Sequence, residues 1–152
     1  MKRILSLLLA LVAVGAWAHE GHQPADTDFK SDICAQCNMV VTSRSYAAQI
    51  VGSGKPLFFD DIGCLVQYER QGKIESQAIH GRFVRTVAGD AWVGVDKAVW
   101  VLTKDVRTPM GYGLHAFVDA KSAEAFAADK KNARVLDWKQ ALAAVPESMG
   151  MM

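Results

Sequence analysis

The segment Phe59-Asp60-Asp61-Ile62 returns, in outline, as Phe117-Val118-Asp119-Ala120. In both places a short apolar run carries a phenylalanine, an aspartate stands two residues after it, and helical spacing begins. An aspartate there can cap a helix, because its carboxylate accepts from the free N–H groups of the first turn. Each copy follows a glycine-containing turn, and further upstream lies a sulfur-bearing segment: Cys34 to Met39 in the first half, Met110 in the second. Self-similarity of this kind predicts two strand-strand-helix-strand units. Facing each other, they would bring Met110 toward the Cys34 to Met39 segment.

The spacing fills in both units. Tyr46 to Val51 reads as a strand, Gly52 to Pro56 as a turn, and Leu57-Phe58-Phe59 as a short strand. Asp60 or Asp61 caps a helix that runs to about Gln71 with Ile62, Leu65 and Val66 on one face, and Gly72 stops it. Cys64 lies inside this helix between apolar neighbours and reads as a small buried hydrophobe. His80 to Val87 alternates as a strand, Gly89-Asp90 is a turn, and Trp92 to Val95 and Ala98 to Thr103 carry further strand character. His80 has no donor cluster near it in sequence. A strand from His115 to Val118, a helix from Ala120 to about Asp129, a strand at Arg134 to Leu136 and a helix from Trp138 to Ala144 complete the chain, and Pro146 ends it. The class is α+β, two small ββαβ-like units forming one compact protein. The first unit spans residues 31–90 and the second 91–145.

The ends read differently. Lys2 and Arg3, the apolar run Ile4 to Val14, and Ala16-Trp17-Ala18 have the order of a secretory signal, cleaved after residue 18. The apolar run falls short of the ~20 residues that span a bilayer. No cysteine follows it, so no lipid anchor is expected, and the chain reads as exported to the periplasm and soluble. Removing Lys2 and Arg3 from the 17 Lys and Arg leaves 15 against 16 Asp and Glu, a net of −1. That balance argues against a nucleic-acid partner, which calls for a basic face. Residues 19–30 and 146–152 read as flexible tails, the second ending Met149-Gly150-Met151-Met152. A mature N-terminus at His19 would offer its amine and imidazole, with His22, to a metal such as Cu(II).

Chemistry concentrates at Asp32-Ile33-Cys34-Ala35-Gln36-Cys37-Asn38-Met39. Three sulfurs fall within six residues, and soft thiolate and thioether donors select Cu(I) over harder divalent ions. A closed zinc site takes four Cys or His ligands, and no second CxxC completes one. The same CxxC also reads as a disulfide, structural or redox-active. A thioredoxin-type pair, however, opens a helix, whereas this one runs into Met39-Val40-Val41-Thr42, a strand-like stretch. Three cysteines is an odd number for an exported chain, so one stays free or binds metal unless it pairs between chains. The stretch Arg107 to His115, with Pro109, Gly111 and Gly113, is a loop. It presents Met110 and His115 as further candidate donors, and packing is the other use of such a loop.

Three motifs together resemble the NosL family, periplasmic copper-binding accessory proteins for nitrous oxide reductase. Cys34-Ala35-Gln36-Cys37-Asn38-Met39 is similar to the family's C-x-x-C-G-M, with Asn38 where glycine is usual. Phe59-Asp60-Asp61-Ile62-Gly63-Cys64 is similar to its F-D-D-x-G-C, and Thr108-Pro109-Met110-Gly111-Tyr112-Gly113 to its T-P-M-G-x-G. The similarity covers most of the chain after about Ser31. It implies two ββαβ units similar to part of organomercurial lyase, and Cu(I) delivery to a recipient copper enzyme or its assembly machinery. Cys37, Met39 and Met110 take the metal-site role in this resemblance, with Cys34 beside them. Family members are commonly lipid-anchored, and the signal here is of the soluble type. The expected protein is a Cu(I) chaperone and not an enzyme, with Cys34, Cys37, Met39, Met110 and His115 as its donor set. A thiol-disulfide oxidoreductase using Cys34 and Cys37, or a copper buffer without a delivery target, are the alternatives.

Overall fold

A computed structural model describes residues 23–74, 78–89 and 91–146. The signal read at residues 1–18, His19 and His22, Asp90 and the Met-rich end all lie outside the described residues.

The chain order is β1 (Ala48–Gly52), β2 (Leu57–Phe59), α1 (Ile62–Arg70), β3 (Ile79–Arg85), β4 (Trp92–Gly94), β5 (Val99–Leu102), β6 (Leu114–Phe117), α2 (Ala120–Ala127), β7 (Arg134–Leu136) and α3 (Trp138–Ala144). Two antiparallel sheets result, ordered β2-β1-β3-β4 and β6-β5-β7. The repeat is therefore real at the level of topology. In each half the first strand lies centrally, the second pairs on one side, and the third returns through a helix to the other side.

Three local outcomes differ from the sequence reading. Residues 92–94 fall in the second unit by sequence, yet β4 pairs with β3 through Phe83↔Gly94, Val84↔Val93 and Arg85↔Trp92. The chain changes sheets only after Gly94, at a turn in which Lys97 and Ala98 donate to the Gly94 carbonyl. The stretch from Met39 to Thr42 makes a single bridge, Ile33↔Val40, instead of a strand. Its backbone donors are used otherwise: Val41 N–H goes to Asp32 O, and Thr42 N–H goes to the buried Asp60 carboxylate at 2.8 Å. Part of the segment read as an N-terminal tail is tied down. Ala25 exchanges two hydrogen bonds with the buried Gln49 side chain, and Phe29 lies under the Arg44 guanidinium.

One core joins the halves. Phe59, Ile62, Leu65 and Val84 from the first half bury against Trp100, Leu114, Ala141 and Val145 from the second. Each fully buried Val, Leu, Ile or Phe side chain among them contributes on the order of 1.5–3 kcal/mol. The Trp100 ring lies 5.1 Å from that of Trp138 of α3, tilted by 37°, and Asp137 and Gln140 of the same helix form a reciprocal capping box. The chain after α3 is held to α1 by Gln67 and Arg70, which donate to the carbonyls of Pro146 and Val145. Among the described residues, no helix is long and apolar enough to cross a membrane.

Candidate metal centre

The CxxC segment folds as a tight loop because its ends bond to each other. Cys34 N–H donates to Met39 O at 2.8 Å, and Asn38 N–H to Cys34 O at 3.0 Å. Closing the loop puts Asn38 at φ 59°. That is the left-handed region, where glycine costs nothing and asparagine is the next most tolerated residue. The loop then docks on the open edge of β2. Ala35 N–H donates to Phe58 O, and Cys34 bridges Phe58 in parallel. Cys34 is thereby fully buried, Cys37 half-buried, and Met39 left 52% exposed.

Cys64 completes a cluster. It sits in the first turn of α1, its side chain 1% exposed. The sulfurs of Cys34, Cys37 and Cys64 all lie within 4.8 Å of one another, and none of the three is in a disulfide. The burial expected for Cys64 is present, but the residue is not merely a small hydrophobe. The signal that could have found it was its place at the end of the Phe59 to Cys64 segment, one of the three motifs read from the sequence.

The three thiols are unequal. Cys34 has its pKa lowered to about 5, first because the Cys64 thiol donates to it, against the opposing effect of burial. The N–H groups of Cys37, Asp60 and Gln36 add to the same effect. Cys64 moves the other way, since the proton it shares with Cys34 is held there and burial disfavours a second charge. Cys37 is raised chiefly by burial. One preformed thiolate thus faces two thiols, and a soft cation is the species such a donor set suits best.

The second half meets this centre through Asp61. The residue is 0% exposed. It caps α1 by accepting from Gly63 N–H at 2.7 Å, and its other oxygen accepts from Met110 N–H at 2.8 Å. Thr108 adds a side-chain hydrogen bond, and burial still pushes the carboxyl pKa upward. The turn Thr108 to Gly111 is closed by Gly111 N–H on Thr108 O. Tyr112 packs against Gly63, where a Cβ would come within 2.1 Å of its ring. Only glycine fits beside Cys64 at that point. Burial first, with smaller electrostatic contributions from the neighbouring Cys64, Asp61, Cys37 and Cys34, pushes the Tyr112 hydroxyl up to about 12. The Met110 loop therefore abuts the sulfur centre, and Met110 itself is half-buried against the main core.

His115 has a different environment. It is fully buried on β6, with Tyr46 edge-on at 5.5 Å and Phe126 at 5.1 Å. Neither ring nitrogen makes a well-formed hydrogen bond. Burial holds its pKa down at about 4, only partly offset by the Thr103 backbone. It does not belong to the group of donors gathered within 4.8 Å. Cys64, Asp61 and Tyr112, which the sequence reading names without a place in the candidate donor set, stand at the seam between the halves.

Comparison with known proteins agrees with this architecture. No curated protein matches the chain. The crystal structure of the copper chaperone NosL from Shewanella denitrificans superposes with a TM-score of 0.66 and 17% sequence identity, covering 78% of this chain and 94% of that one. At that identity the likeness shows the fold. The family model NosL matches residues 27–145, which take in both sheets, the cysteine cluster and the Met110 loop, and on that match the chain belongs to the NosL family.

Proposed function

We propose that the protein is a periplasmic Cu(I) metallochaperone, not an enzyme, that hands copper to a copper enzyme or its assembly machinery. Nitrous oxide reductase is the recipient that membership of the family suggests. The observation that carries the reading is the gathering of three free cysteine sulfurs within 4.8 Å, one of them already inclined to the thiolate form. Thiolates bind Cu(I) tightly, and the ligating thiols must lose their protons to do so. The copper chaperone of similar fold supports the same conclusion.

In this reading Cys34 and Cys64 are the inner ligands and Cys37 the outer one. Met39 and Met110 are thioether donors at the rim. A cargo site has to release as well as bind. Met39, more than half exposed, can leave copper without disturbing the core, so a partner's ligand can enter as a thioether departs. His115 completes the proposed donor set only by a rearrangement of β6, which makes it the last donor to invoke.

The experiment is copper transfer. The reduced, metal-free protein is titrated with Cu(I) against a chromogenic chelator and then mixed with copper-free nitrous oxide reductase under anaerobic conditions. The expected result is one tight equivalent per chain, and transfer faster than from the chelator alone. Disulfide turnover without copper retention would support an oxidoreductase instead. Tight copper that never reaches a recipient would leave only a buffer.

A further inference from the structure

Asp61 has a burden that a helix cap does not require. Its carboxylate is fully buried, although burying an anionic group costs several kcal/mol unless its hydrogen bonds are made. A cap can be had without that cost, as Asp119 demonstrates in the second half. Asp119 caps α2 through Ser122 N–H at 2.8 Å from an exposed position. The difference between them is the second oxygen of Asp61, which holds Met110 N–H at 2.8 Å across 49 residues of sequence. Asp61 lies three residues before Cys64. One side chain therefore touches both the first turn that carries a sulfur ligand and the loop that carries a candidate donor from the other half. Thr108, through its bond to Asp61 and its hydroxyl at 3.2 Å from Gly113 N, braces the same loop.

We infer that Asp61 is a positioning residue of the copper site, a clasp that fixes the Met110 loop beside Cys64. This rests on the reading of the protein as a Cu(I) carrier with Met110 among its donors. In Asp61→Asn the side chain keeps its size, and asparagine caps helices as well as aspartate does. It loses one of two acceptors, so an amide N–H would face the Met110 N–H. The helix stays and the loop is released.

A double-mutant cycle tests it, because coupled residues fail to add and independent ones do not. Cu(I) affinity is measured for the full chain, for Asp61→Asn, for Met110→Leu and for the pair. Each single change is expected to weaken binding at least tenfold, and the pair to be no more than about threefold weaker than either single. Copper-edge X-ray absorption should lose one sulfur in both single variants. In the copper-free protein, exchange of the Met110 amide hydrogen should accelerate at least tenfold in Asp61→Asn, while the amides of residues 66–70 keep their protection. Multiplied losses in the pair, or wild-type affinity in Asp61→Asn, overturn the clasp and leave the carrier reading standing. A wild-type chain that holds no Cu(I) overturns both. If Asp61→Asn does not fold by circular dichroism, Thr108→Val takes its place, with the same non-additivity required.

Discussion

The two halves share one topology and one helix-starting device, yet they use it for different ends. Counting from the cap, Cys64 and Ser122 occupy the same helical position, the third residue after Asp61 and Asp119 respectively. In the first half that position points a sulfur into a buried cluster. In the second it supplies a serine whose hydroxyl and N–H both go to the capping aspartate. Helix α1 buries Ile62 through Gln67, whereas α2 buries only Ala123. Burial pushes the Asp61 carboxyl up, while hydrogen bonds from Ser122 hold Asp119 below the usual carboxylate range. A motif is thus a local instruction for a strand-to-helix turn. Whether it becomes part of a site depends on what packs over it.

The comparison breaks most decisively at Cys64. If the first-half helix carries a ligand, Cys64→Ser should weaken Cu(I) binding by at least about a hundredfold, or ~2.7 kcal/mol. The fold should survive, since one buried sulfur is exchanged for a smaller hydroxyl. Chelator competition gives the affinity, and circular dichroism checks the fold. Unchanged affinity would reduce Cys64 to the packing role its neighbours in sequence suggest.

The second half should show its own titratable group as a stability device. His115 is held neutral in the folded state with a pKa of about 4, against an ordinary value of 6.5. The unfolded chain therefore binds the extra proton first as pH falls. The stability from keeping the ring neutral is fully present above about pH 6.5 and drains away toward pH 4, by up to about 3 kcal/mol. Denaturant midpoints from pH 7 to 4 should fall steeply in the wild type. In His115→Phe, which keeps an aromatic ring between Tyr46 and Phe126, that fall should be shallower. Parallel curves would mean that the ring is not what responds.

The smallest effect is expected at Asp119. Asp119→Asn preserves a good cap on an exposed turn, so Tm should fall little and Cu(I) affinity should stay within twofold of the wild type. Loss of copper there would mean that the second helix reaches the centre, and that the contrast with Asp61 is overstated.

Much of this fold was legible because its signals are short-range. The bounds of β2, β7 and α3, and the aspartate caps of α1 and α2, follow from apolar spacing and turn residues that act within a few positions. The left-handed turn at Asn38 was foreshadowed by the glycine usual there in the family. Where the reading departed from the structure, the deciding partner lay far along the chain. Val40 to Thr42 has the composition of a strand, but the Asp60 carboxylate, 18 residues on, takes the Thr42 amide. Residues 92–94 read with the second unit, but the edge of β3 was open to them.

By itself the sequence determined the two-unit plan, the closeness of Cys34 and Cys37, and the loop character of Thr108 to Gly113. Those depend on residue type and on spacings of two to four. Only the tertiary structure decided that Cys64 joins the cluster, that His115 is spent between Tyr46 and Phe126, and that Asp61 ties the halves together. The physical reason is that burial and long-range hydrogen bonds set those roles. A cysteine on a helix stands as a lone hydrophobe or in a sulfur cluster according to whether two other sulfurs lie within 4.8 Å of it, and that distance exists only once the CxxC loop has closed on the edge of β2.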